Sequence, residues 1–272
     1  MTPTVRSGAG DRSAIEARRV ALAGGIGTTI EWYDFFIYGT AAATVFGPQF
    51  FPQVSELAGT LASFATFGIG FIARPLGGVV MGHYGDRLGR KFMLVWSLLL
   101  MGSATLAIGL LPTYAQIGVW APVLLVVLRF VQGFALGGEW GGAVLMSVEH
   151  APDGRRGFFG SVVALGLPAG IVLSNLVFLI ASTSVAAAEF AAWGWRVPFV
   201  ASAVLVGVGL WVRLGIDESP VFARALQAQA ARRMPIVDVL RANGRTVLLA
   251  AGSYLSISSL GYVPGAAAKR LR

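Results

Sequence analysis

Long apolar runs separated by short polar loops constrain this chain more than any other feature. They extend from about Val20 to Phe46, Leu57 to Met81, Phe92 to Leu111, Gly118 to Met146, Phe158 to Ala181 and Gly194 to Leu214. A seventh, Thr246 to Val263, is barely long enough to join them. A helix rises 1.5 Å per residue, so about 20 residues cross roughly 30 Å of hydrocarbon. Unsatisfied backbone groups in lipid cost several kcal/mol each, which makes runs of this length helices. None alternates with the period of two that an outer-membrane barrel strand requires. The expected fold is therefore an all-α polytopic membrane protein. Composition agrees: 56% of residues are apolar and 12% charged, against roughly 25% charged in soluble domains. That balance excludes a disordered chain, a disulfide-stapled secreted domain and a cytosolic enzyme. There is no Cys, and both His lie outside the apolar runs, so neither a metal site nor an organic cofactor is expected. The first run is too long for a signal-peptide core and carries two carboxylates.

Basic residues set the orientation. Arg6, Arg12, Arg18 and Arg19 precede the first run, Arg87, Arg90 and Lys91 follow the second, and Arg155 and Arg156 follow the fourth. Arg213, Arg224, Arg232, Arg233, Arg241 and Arg245 occupy the segment after the sixth. The opposite loops, 47–56, 112–117 and 182–193, contain no Lys or Arg. The positive-inside rule then places the N-terminus and the 213–245 segment in the cytoplasm of a multi-pass protein of the cell (inner or plasma) membrane. The net charge of +8 is thereby a topology signal with some attraction to anionic lipid, so the partner is the bilayer and not nucleic acid. Lys269, Arg270 and Arg272 break the pattern at the far end of run seven. The expectation is that run seven does not insert, or that the chain is truncated or frameshifted near Val263.

Ionisable groups inside a span need a partner, a cavity or a function. Glu31, Asp34 and Tyr38 are spaced to share one face of the first helix, and two carboxylates so close favour one holding a proton. On the fourth, Arg129, Gln132, Leu136 and Glu139 form one stripe. Arg129 and Glu139 stand roughly 15 Å apart along the axis, so each must find a partner elsewhere. Glu139 and Trp140 sit in the sequence Gly137-Gly-Glu-Trp-Gly-Gly142, whose glycines are read as helix packing. Between runs two and three comes Gly82-His-Tyr-Gly-Asp86-Arg87-Leu-Gly89-Arg90-Lys91, in which Asp86 is a candidate cap for the next helix.

This loop resembles the signature of the major facilitator superfamily, and Arg129-x-x-x-Gly133 resembles its second motif. Glu31-Trp-Tyr-Asp-Phe-Phe-Ile-Tyr-Gly39, Ala73-Arg-Pro-Leu-Gly77, Arg129 through Gly142 and Glu218-Ser-Pro-Val-Phe222 narrow the resemblance to the metabolite:proton symporters. Members of that family carry solutes such as proline/betaine, α-ketoglutarate, citrate and shikimate. The likeness runs from about Ala21 to Phe222. It implies two six-helix bundles of inverted three-helix repeats with the solute between them, of which this chain supplies the first bundle and a partial seventh helix. The implied domains are a cytoplasmic tail (1–19), the bundle (20–214), a cytoplasmic linker (215–245) and the partial helix with its anomalous end (246–272).

The resemblance also implies roles. Glu31 and Asp34 form or adjoin the site of the coupling proton. Arg129 holds a carboxylate of a small organic acid or zwitterion, and Tyr38, Gln132, Glu139 and Trp140 line the path. Gly82, Asp86, Arg87, Gly89, Arg90 and Lys91 form the cytoplasmic gate. Gly166-Leu-Pro-Ala-Gly170 departs from the Gly-Pro-rich helix of drug:proton antiporters and favours symport. The rival expectation is a non-transporting fragment needing the missing second bundle. An enzyme is not expected, since no nucleophile–base grouping, phosphate-binding loop or metal cluster is present.

Overall fold

The structure, a computed structural model, describes residues 7–218 and 241–249. The chain divides into two compact units, Met1–Ala230 and Ala231–Arg272. In the second, residues 241–249 are helical; residues 250–263 of run seven and the chain beyond lie outside the described residues.

The first unit is helical throughout, with no strand among the described residues. Its elements are α1 (Ser7–Thr44), α2 (Phe46–Phe50), α3 (Glu56–Leu88), α4 (Arg90–Leu110), α5 (Tyr114–Ile117), α6 (Trp120–Leu136), α7 (Glu139–His150), α8 (Arg156–Ala164), α9 (Gly166–Thr183), α10 (Ala187–Glu189) and α11 (Arg196–Leu214). A π-helical turn, Phe190–Gly194, leads into α11. The fourth and fifth apolar runs are each interrupted, at Gly137–Gly138 and at Leu165. Counted across those interruptions, five described helices are long and apolar enough to cross a membrane. The sixth span is α1, whose 38 residues include the two buried carboxylates and so fall below the other five in hydropathy.

Local chemistry sets the boundaries. Ser55 starts α3 by accepting a hydrogen bond from the Ala58 amide at 3.4 Å. Thr113 and Gln116 cap α5 reciprocally. Between α3 and α4 the chain turns within one residue, Gly89, at φ 107°. A side chain there would be strained, so the glycine of the loop is a conformational requirement.

Helix α1 is the hub, packing against α3, α7, α8, α9 and α11, while α4 packs on α6 and α11. Aromatic side chains fill one end of the core, where Tyr38, Phe46, Phe50, Trp195 and Phe199 are all fully buried. Outward-facing positions carry large apolar residues such as Ile72, Leu179 and Trp211, as a lipid-facing surface requires. Helices α3 and α6 touch backbone to backbone. A Cβ at Gly133 would overlap the Gly70 carbonyl, and one at Gly77 the Phe134 carbonyl. This is the close approach that small residues permit between membrane helices. Gly133→Val is expected to cost about 1–3 kcal/mol as overpacking, read as a lower thermal midpoint in detergent; an unchanged midpoint would mean the contact is not tight.

Candidate functional site

Every polar member of the α6–α7 stripe is buried, as are Glu31, Asp34 and Tyr38 of α1. They fall into two groups in different parts of the bundle. In the first, the Arg129 guanidinium donates to the Gln132 carboxamide oxygen. Gln132 Nε2 donates to the Thr105 hydroxyl at 2.7 Å, and Thr105 donates to Asp34 Oδ2 at 2.8 Å. Arg129 and Asp34 are thus joined through two neutral side chains and not by a direct ion pair. The guanidinium lies 4.2 Å from the Tyr38 ring centroid and 4.6 Å from that of Phe67, so aromatic faces compensate part of its charge. Tyr38 is fixed by a 2.6 Å hydroxyl–hydroxyl hydrogen bond with Thr66. Arg129 Nε and Asp34 Oδ1 have no hydrogen-bond partner.

The second group closes the break between α6 and α7. Glu139, in the first turn of α7, pairs with Arg213 of α11, which also donates to the Leu94 carbonyl of α4. Ser97 donates to the other Glu139 oxygen at 3.1 Å. Room for Arg213 depends on Gly27, since a Cβ there would overlap the guanidinium. Glu31 stands 4.0 Å from Arg74 of α3, and its Oε2 is unpartnered. As its position on the stripe requires, Glu139 does not pair with Arg129.

Four features depart from the sequence reading. Arg213, counted there with the cytoplasmic basic residues, is buried as the partner of Glu139. The stretch from Gly82 to Leu88, read there as loop, is the helical end of α3; Trp140 lies on an open face of α7 at 44% accessibility. Asp86 does not cap α4; it sits within the last turn of α3. The Glu218 carboxylate takes that place, accepting from the Arg90 amide at 3.2 Å and from the Lys91 amide at 3.1 Å. A carboxylate here satisfies free amides and complements the helix dipole. Lys91 Nζ donates to the Leu214 carbonyl at 3.0 Å, and Arg90 pairs with Glu149. The α3–α4 junction, from Gly82 through Gly89 to Lys91, is thereby clasped to the ends of α7 and α11. Gly82 borders an open groove of about 250 Å³ with Asp86 and Arg90, and Arg87 closes α3 beside them.

The buried groups thus lie inside a bundle of membrane-length helices, with an ion pair in its interior and a clasped α3–α4 junction at one end. The chain belongs to the sugar (and other) transporter family, whose model matches residues 20–236. The shikimate transporter of Escherichia coli (strain K12) is 51% identical over 239 residues, covering 87% of this chain and 55% of that protein. The proline/betaine transporter of the same strain is 41% identical over 205 residues, covering 75% and 41%. The proton:xylose symporter XylE, bound to 6-bromo-6-deoxy-D-glucose, superposes with a TM-score of 0.70 at 19% identity, covering 88% of this chain and 57% of that one. That likeness establishes the fold alone. The chain spans about half the length of the curated relatives it matches. All of these relatives are transporters, not enzymes.

Proposed function

We propose that this chain takes part in proton-coupled symport of a small organic acid or zwitterion by alternating access. In this reading it lies in the cell membrane with its N-terminus cytoplasmic, and the proton is the coupling ion. The observation that carries the reading is the buried line Arg129–Gln132–Thr105–Asp34, with Asp34 Oδ1 left without a donor. An ionised oxygen with no donor is costly in a dry interior, and a proton on it removes that cost. Glu31 presents the same arrangement at Oε2. The clasp of Arg90, Lys91, Glu149 and Glu218 acts as the cytoplasmic gate, its Arg90–Glu149 ion pair and its hydrogen bonds at Lys91 and Glu218 breaking and reforming between states. Names among the relatives support the solute class: shikimate is a carboxylic acid and betaine a zwitterion.

A second reading is favoured by coverage, since the chain matches only 55% of the shikimate transporter. It makes the bundle one wall of a cavity, active only when a second bundle supplies the other. Vesicles holding the chain, alone or with the remaining helices of the E. coli shikimate relative, separate the two. Labelled shikimate and betaine should accumulate when the outside is acidified, and a protonophore should abolish this. Uptake only in the combined vesicles selects the second reading. Equilibration without accumulation would sink proton coupling.

A further inference from the structure

We infer that Arg74 is the binding site for the solute's carboxylate and that Glu31 competes with the solute for it. This rests on the symporter reading above. Arg129 is the cation the sequence offers for that role, but it is 1% exposed and covered by the rings of Tyr38 and Phe67. On its remaining side it meets the backbone of α3, because a Cβ at Gly70 would come within 2.8 Å of Nε. No solute reaches Arg129 without unpacking the core. Arg213 is equally buried and already holds Glu139. Arg74 differs, because a quarter of its side chain is open.

Depth gives that opening its meaning. Arg74 lies between Glu56 and Leu88 of α3, roughly 27 Å from one end and 21 Å from the other at 1.5 Å per residue. A guanidinium facing hydrocarbon there costs at least a few kcal/mol, so the face it opens on must be wet or occupied. Nor does the side chain stretch towards either surface. Its guanidinium is held over Phe35 and Phe71, 5.3 and 5.2 Å from their centroids, and 4.0 Å from Glu31. The next residue, Pro75, lacks an N–H and so leaves the Phe71 carbonyl without its helical donor. A planar cation fixed against rings, with its fork partly free, suits a carboxylate.

At 4.0 Å the Glu31 contact is loose for an ion pair with direct hydrogen bonds. The other charges acting on Glu31 are Glu139 of α7 and Arg213 of α11, already paired with each other. Asp34 is its neighbour on α1, α9 carries no ionisable residue, and Arg156 of α8 pairs with Asp153. While Glu31 is ionised, it and the solute share one guanidinium. When a proton moves onto the Glu31 carboxylate, Arg74 is left to the solute. The Glu31 proton thereby sets the solute's affinity for Arg74, while the proton that drives accumulation is the one on Asp34.

Phenylglyoxal labelling of the chain in nanodiscs, read by mass spectrometry, tests the site directly. Arg74 should be modified, Arg129 and Arg213 should not, and shikimate should protect Arg74 where choline does not. Protection should be stronger at pH 6 than at pH 8. Glu31→Gln, nearly isosteric, should tighten protection about tenfold at pH 8 and flatten its pH dependence, an effect of about 1.4 kcal/mol. An ion pair with only a structural role would produce no such gain. An unlabelled Arg74, or labelling that shikimate leaves unchanged, overturns the proposal. Protection without gradient-driven uptake upholds the site and sinks the coupling, whereas uptake without protection does the reverse.

Discussion

Arg213→Met is expected to destabilise the bundle by about 3–5 kcal/mol, because it leaves Glu139 buried and unpaired. Glu139 is fully inaccessible, and without Arg213 it keeps the hydrogen bond from the Ser97 hydroxyl but no counter-charge at that oxygen pair. The loss should appear as a lower midpoint in thermal denaturation of the detergent-solubilised chain. Adding Glu139→Leu should restore most of it, since a buried pair replaced by apolar side chains of similar volume is often neutral. Gly27→Ala should act in the same direction as Arg213→Met, because its methyl group occupies the space of the guanidinium. A neutral Arg213→Met, or a double variant no better than the single, would show that the pair is not what joins α4, α7 and α11.

The contrast between Arg129 and Arg213 explains how far the sequence could be read. Arg129 lies deep in an apolar run with Gln132 at helical spacing, so its burial follows from hydropathy and periodicity. Arg213 is the last residue but one of α11. From sequence, a base at that point looks like the cytoplasmic flank of a span, and only the need of Glu139 for a distant partner hints otherwise. Thr105 was illegible for another reason. A hydroxyl in an apolar run carries no charge and can satisfy itself on its own helix, so nothing local marks it as the bridge to Asp34. Glu218 is 128 residues from the amide it caps, beyond any local capping rule. Two spans, α4 and α11, follow their apolar runs closely because lipid leaves the backbone no alternative to a helix, whereas α3 continues seven residues past Met81 to Leu88, through the polar stretch beyond its run. The break at Gly137–Gly138 was hidden because both flanking segments keep one buried stripe in register across it.

Asp34→Asn should abolish solute accumulation while leaving exchange of labelled for unlabelled solute intact. Coupling one proton to one solute across one pH unit makes about 1.4 kcal/mol available, which supports a tenfold concentration ratio. The variant should lower that ratio to one. Asparagine keeps an oxygen to accept from Thr105, so the Thr105–Gln132–Arg129 line is preserved. What it removes is the oxygen that a proton can occupy, Oδ1, which has no donor in the structure. Exchange needs only the site and its alternation between faces, so it should continue at both pH 6 and pH 8. Glu31→Gln provides the internal comparison, because it frees Arg74 for the solute and leaves Asp34 untouched. Vesicles holding the chain with the helices of the shikimate relative should therefore distinguish the two carboxyls. If Asp34→Asn still accumulates solute tenfold while Glu31→Gln does not, the proton travels on Glu31 alone and the Arg129 line is structural. Loss of exchange in Asp34→Asn would instead mean that Asp34 holds the bundle together, and the coupling role would pass to another group.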